Sequence, residues 1–377
     1  MSERLGAYTL LQTLGQGGMA DVYLASTAGI DAHVAVKVLS AQRSLDTESC
    51  ALFLDEARVV RMLDHKNIAS VLDVDVSGGR HYLAMEYIHG ADLREVLVTC
   101  AQKSSLPSYE FSLSVVAQAA AGLDHAHRRC DADGKPLHLV HRDVSLTNIM
   151  VGHDGTVKVV DFGIARSTLS SVHTSPGIVR GKPSYMSPEQ CLGDKVGHRT
   201  DVFALGIVLY ELTTGARCFA GKSDFERMLA VVQGDYIAPS DLIADYPPEL
   251  EKVVRTALAA NPELRYASCA ALIEAIERVT IDCGWRADAA SVQRTMHELF
   301  GDVKAPWISV DDEARTIENM VLPISALPTA KITRPDRFPR GTLADMFDPK
   351  HWVADDDDAV TRGRRSMRRS SSPYLAA

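Results

Sequence analysis

The sequence predicts an α+β chain in two lobes: a small N-terminal antiparallel sheet with one helix, then a larger, mainly helical part. Three observations predict it. Short apolar runs broken by glycine fill the first 90 residues, helical periodicity takes over from about residue 91, and regular periodicity fades near residue 300. The chain has 377 residues, 46% hydrophobic and 24% charged, the usual proportions of a globular protein long enough to bury a large core.

Residues 8–14, 20–26 and 33–39 read as strands, because short apolar runs between glycine turns suit a pleated, half-buried surface. Residues 47–63 read as a helix, with Leu52, Ala57, Val59, Val60 and Leu63 along it. Two more strands are expected at 70–76 and 80–87, joined at Gly78-Gly79. Helices are expected at 108–128, 201–214, 223–233, 247–259 and 268–279. A final one at 285–300 carries Trp285, Val292, Met296, Leu299 and Phe300. The run 202–212 is too short to span a bilayer and reads as a buried helix.

Net charge is −9, so no global basic field holds nucleic acid or an anionic membrane. Residues 301–377 contain twelve acidic and twelve basic residues, so the whole −9 belongs to the first 300. This stretch carries seven of the 16 prolines, the acidic run 355–358, and Arg362, Arg364, Arg365, Arg368 and Arg369. A largely disordered tail is expected there. The seven cysteines are scattered and form no Cys-x-x-Cys pair, which suits reduced thiols. The opening residues lack a signal-peptide apolar stretch, and Ser2 stands where N-myristoylation needs glycine. A cytoplasmic location without a membrane span is the expectation.

Four groups of residues carry chemistry. Gly15-Gln16-Gly17-Gly18 lies between two strands, where glycine lets backbone amides approach a phosphate. A Rossmann loop would be followed by a helix, and a Walker A loop would contain Gly-Lys-Ser/Thr; neither holds here. Lys37 stands in the third strand, 22 residues after Gly15, and Glu56 follows on the helix 19 residues later. A strand lysine and a helix glutamate can pair and hold an ammonium against phosphate oxygens. His141-Arg142-Asp143 with Asn148 forms the third group, and Asp161-Phe162-Gly163 the fourth, 13 residues after Asn148. Each is weak alone; their order and spacing are hard to obtain by accident.

With these motifs the sequence resembles the eukaryotic-like (Hanks-type) Ser/Thr protein kinases over residues 8–280. Ser187-Pro188-Glu189, the Asp201-to-Gly206 motif and Asn261-Pro262 to Tyr266 continue the resemblance. Gly-Gly-Met before Val22 is similar to bacterial members, and Asp-Val-Ser after His141-Arg142 to those of myxobacteria. The resemblance implies a bilobal kinase domain (8–88 and 89–280), a packed helix at 281–300 and the tail beyond. It implies phosphorylation of Ser/Thr hydroxyls on proteins, and of the chain itself, in bacterial signalling, using ATP and Mg²⁺, with Mn²⁺ as a substitute. Gly15 and Gly17 would cover the phosphates, and Lys37, held by Glu56, would contact them. Asp143 would take the hydroxyl proton, and Asn148 and Asp161 would bind the metal. Val22, Ala35 and Met150 would sandwich adenine. Met85 would be the gatekeeper, Glu86 to Ile88 the hinge, and Asp92 a ribose contact. Glu189 and Arg265 would form a buried structural ion pair. Protein substrates, and a homodimer for autophosphorylation in trans, are the implied partners.

Three departures matter. Ala20 replaces the third loop glycine, with a small effect expected. Ser145 replaces the usual lysine two residues after the catalytic Asp, and Lys182 stands where the family usually has threonine. The two changes look reciprocal, so Lys182 is expected to bring its ammonium beside Asp143. The competing readings are a pseudokinase that signals by conformation, supported by Ser145, and a small-molecule kinase, disfavoured by Ser187-Pro188-Glu189. Thr168, Ser170, Ser171, Thr174 and Ser175 are expected phosphorylation sites facing Arg142, with Thr174 or Ser175 foremost.

Overall fold

A computed structural model of the chain describes residues 3–17, 19–27, 30–40, 43–131, 133–162 and 183–303. Six strands form the first sheet: β1 (Arg4–Leu5), β2 (Tyr8–Gln16), β3 (Ala20–Thr27), β4 (Ile30–Leu39), β5 (Val71–Ser77) and β6 (Arg80–Glu86). All neighbours are antiparallel, in the order β1-β2-β3-β4-β6-β5. Helix α1 (Thr47–Arg61) links β4 to β5. Side chains alternate across a strand, so β4 feeds two cores. Val34, Val36 and Val38 pack with Leu5, Tyr8, Leu10, Tyr82 and Ala84 on one face. Leu39, with Leu83, meets Phe53 and Ala57 of α1 on the other. The two ends of the sheet also approach each other: the Tyr8 hydroxyl donates to Asp73 (3.4 Å) and the Gly6 amide to the Ser77 hydroxyl (3.1 Å).

The second lobe begins with β7 (Gly90–Asp92), α2 (Leu93–Gln102) and α3 (Tyr109–His127). Strands β8 (Ile149–Gly152) and β9 (Val157–Val159) complete a small sheet of order β7-β8-β9. Among the described residues seven helices follow: α4 (Pro188–Leu192), α5 (Arg199–Thr214), α6 (Asp224–Gln233), α7 (Pro239–Leu242), α8 (Pro248–Ala257), α9 (Cys269–Asp282) and α10 (Ala289–Phe300). Thr200 through Thr214 are all buried, so α5 is the axis of the lobe, as a helix apolar all round must be. A continuous core joins α3, α5, α8 and α9. Helix α10 buries Val292 and Met296 completely, is opened by a capping box at Asp288, and is closed by Lys103, whose ammonium donates to the carbonyls of Glu298 and Leu299.

The α1–β5 loop ties the lobes. The Asn67 side chain donates to the Val157 carbonyl (2.8 Å), and the Asn67 backbone carbonyl accepts from the Val159 amide (2.9 Å). The expected strands and long helices are present, with ends shifted by a few residues. The reading did not separate β1, β7, α2, α4 and α7. The two strands are two or three residues long, and α4 and α7 five and four, too short to show a period. The final helix starts later than expected; Trp285 instead stacks near Tyr109, with ring centroids 5.1 Å apart. The tail, with its Asp and Arg blocks, lies outside the described residues. All seven cysteines are free thiols. Among the described residues no helix is long and apolar enough to cross a membrane.

Candidate active site

Register alone gathers most of the N-lobe candidates. Gly15 pairs with Val22, Val22 with Lys37, and Lys37 with Leu83; one row along, Leu24 pairs with Ala35 and Ala35 with Met85. Directly paired residues share a sheet face, and so do residues two apart along β4. Val22, Ala35, Lys37 and Met85 therefore share the face that also carries Leu39 and Leu83. Two irregularities in β2, one between Thr13 and Gly15, bend the hairpin beside this row. The Gly17 amide donates to the Ala20 carbonyl (3.1 Å), and a Cβ on Gly17 would stand 3.1 Å from that oxygen.

Lys37 Nζ lies 2.9 Å from Asp161 Oδ1. The lysine is mostly buried, whereas the Asp161 carboxylate is 41% exposed and open to a ligand. The Glu56 side chain, the expected second partner of Lys37, lies outside the described residues, as does Lys182 with the whole stretch 163–182 and its phosphorylation candidates.

Asp143 and Asn148 sit together on the loop before β8. Asn148 Nδ2 donates to the Asp143 carbonyl (2.8 Å) and to Asp143 Oδ2 (3.1 Å). Its amide is thereby fixed, with Oδ1 receiving the Thr147 hydroxyl (3.3 Å). Ser145 is fully buried, and its hydroxyl lies 3.2 Å from that of Thr147. Arg142 and Asp161 hold left-handed backbone (φ 66° and 53°), which costs a non-glycine residue on the order of 1–3 kcal/mol each. Surrounding bonds must hold them there.

Asp201 supplies two of those bonds. Its fully buried carboxylate accepts from the amides of His141 and Arg142, both at 2.9 Å, and from His127 Nε2 at 2.7 Å. Burial pushes its pKa up, but the bonds it accepts from His127 and from the His141 amide pull it below the ordinary carboxylate value. His141 links this loop to the next motif. Its Nε2 meets the Val160 carbonyl (3.1 Å), its Nδ1 accepts the Asp143 amide (3.2 Å), and its ring packs on Phe162 at 4.6 Å. One nitrogen donates and the other accepts, so the imidazole is neutral. Burial lowers its pKa in keeping with this, against the opposing pull of Asp201 and Asp143.

The adenine-side candidates also have structural work. Glu86 binds Lys158 (2.6 Å) and accepts the Ser70 amide (2.7 Å). Asp92 caps α2 by accepting the Glu95 amide (2.7 Å), and pairs across β7–β8 with Met150. Ile88 is half-buried in the segment between β6 and β7. Arg265 grips Glu189 with two parallel bonds (2.7 and 2.8 Å), the expected buried pair. Sequence reading named Asp201 only as part of a motif. An acid at the start of an otherwise apolar helix was the signal for its anchoring role.

This bilobal fold, with Lys37 on Asp161 and Asn148 on Asp143 below a glycine hairpin, is the architecture of a protein kinase domain. A family profile described as protein kinase domain matches residues 8–275, and the chain belongs to that family. It is 38% identical over 275 residues to the tyrosine-protein kinase MasK of Myxococcus xanthus, covering 72% of this chain and 43% of MasK. It is 37% identical over 281 residues to the serine/threonine-protein kinase Pkn1 of the same species, covering 73% and 38%. The chain spans less than half the length of these relatives. Among solved structures, the PknI kinase domain of Mycobacterium tuberculosis matches 74% of this chain and 97% of its own, with 27% identity and a TM-score of 0.56.

Proposed function

We propose that the chain is an active protein kinase that transfers the γ-phosphoryl group of ATP to serine and threonine hydroxyls of proteins, itself included. The observation that carries this reading is the meeting of Lys37 with Asp161 at 2.9 Å beside the Asp143–Asn148 pair. Such transfer needs little covalent help from the protein. It needs phosphates held in place, charge neutralised and a hydroxyl aligned.

Gly15 and Gly17 would cover the phosphates, and Lys37 would bind their oxygens. Val22, Ala35 and Met150 would enclose adenine, with Met85 behind it, the hinge from Glu86 to Ile88 beside it, and Asp92 near the ribose. Asp143, oriented by the Asn148 amide, would align the acceptor hydroxyl and take its proton. Asp161 and Asn148 fit Mg²⁺, because carboxylate and carboxamide oxygens are hard donors and Asn148 Oδ1, which accepts the Thr147 hydroxyl, keeps a second lone pair. Bound there, Mg²⁺ (or Mn²⁺) would neutralise phosphate charge. Glu56 would hold Lys37, and Lys182 would replace the positive charge that Ser145 lacks. Autophosphorylation in trans, a cytoplasmic location and bacterial signalling belong to the same reading.

MasK's name and the Ser145 departure favour a second reading, tyrosine as the acceptor. Labelled ATP with a generic protein substrate, followed by phosphoamino-acid analysis, tests both. Phosphoserine or phosphothreonine from wild type and none from Asp161→Asn is the expected result. Phosphotyrosine alone would select the second reading, and equal signal in both proteins would reject catalysis.

A further inference from the structure

The strained Arg142 peptide is held on both sides. Asp201 takes its amide hydrogen, and on the other side Gln190 Nε2 lies 3.0 Å from the Arg142 carbonyl. The orientation of the Gln190 amide follows from its partners. Its Oε1 accepts from the Ser187 backbone amide (3.0 Å), which can only donate, so Nε2 must face the Arg142 carbonyl, which can only accept. Gln190 is half-buried at the third position of α4, directly after the segment that begins at residue 183. It is the one described side chain joining α4 to the peptide that carries Asp143.

We propose that Gln190 is a positioning residue for phosphoryl transfer. It fixes the carbonyl side of the Arg142–Asp143 link and makes the alignment of Asp143 depend on the segment 183–190. The proposal rests on the kinase reading above. Its physical basis is that a left-handed arginine relaxes toward ordinary backbone once one of its two outside bonds is lost, and that relaxation rotates the next residue, Asp143. Asp143 also meets Asn148 and His141, both on its own loop.

Gln190→Glu separates this role from helix capping. Glutamate at this position keeps the capping box, because its oxygen still accepts the Ser187 amide, and it is the preferred residue there. It cannot donate to the Arg142 carbonyl unless protonated. If Gln190 only capped α4, Glu would serve as well.

The test uses the full chain, with kcat and KM for ATP and for a peptide substrate, melting temperature, and amide hydrogen exchange at Asp143 and Val144. Gln190→Glu is expected to lower kcat by about tenfold or more, with KM for ATP and melting temperature unchanged, because misalignment alone costs rate on this scale. Its activity relative to wild type should rise as pH falls toward the ordinary carboxyl range near about 4.3, where the donor returns. Exchange at Asp143 and Val144 should quicken. Gln190→Met, which removes both bonds, should match Glu in kcat. A Gln190→Glu enzyme with kcat within about twofold of wild type, or with unchanged exchange, would overturn the proposal. If wild type itself behaves as Asp161→Asn, the kinase reading fails, and the exchange comparison alone decides the role of Gln190.

Discussion

The two sides of the site are held in different ways. In the helical lobe, buried charged and polar groups lock individual peptide units: Asp201 holds two amides, Gln190 a carbonyl, and Arg265 grips Glu189 under α4. In the sheet lobe, the glycine hairpin is exposed from Leu11 to Gln16, and its residues are placed by strand register. On the proposed kinase reading, the proton acceptor must stand at one point, which suits rigid, dry support, and the phosphate cover must open and close, which suits thin, wet support.

If that contrast is right, the largest effect comes from the buried side. Arg265→Ala leaves the buried Glu189 without its charged partner, and should destabilise the protein by about 3–5 kcal/mol in urea melts, with activity lost in proportion to unfolding. A cost below about 1 kcal/mol would mean that the pair is replaceable.

A middle effect comes from pH. His141 is neutral in the folded protein with its pKa held below 6.5, whereas the unfolded chain takes up a proton as pH falls through that value. The unfolded state then binds more protons, so stability is full above about pH 6.5 and declines below it. His65, His89 and His153 are shifted the same way by burial and add to the slope. Urea midpoints at several pH values should show this decline, and His141→Gln should reduce it. An unaltered slope would assign the effect to the other three.

The smallest effect belongs to the hairpin. Ala20→Gly restores the glycine that the family usually has, and should leave KM for ATP within about twofold. It should cost about 0.5–1 kcal/mol of stability, because glycine loses more freedom in a strand. A large gain in rate would show that the hairpin, too, depends on a single side chain.

Much of the fold was legible because its long elements carry their period in the sequence, and the strands around Lys37 are short runs between glycines. The site was legible where motifs are local: Asp143 and Asn148 share one loop and meet directly. What the sequence concealed lies far apart along the chain. Asp201 reaches back 60 residues to His141, and Gln190 reaches 48 residues to Arg142, contacts to which no local period points. Helix α2 escaped separate notice, and its N-cap Asp92 was read only as a ribose contact. One side chain was serving two readings.

Helix α10 sets a practical boundary for handling the protein. The family match ends at residue 275, inside α9, and leaves α10 out. A recombinant fragment cut there would end in mid-helix and uncover the apolar floor on which Val292 and Met296 sit, next to α3 and β8. Such a surface invites self-association, and the fragment would precipitate or bind its neighbours. A fragment ending after Val303 keeps that floor covered and the Lys103 clasp closed.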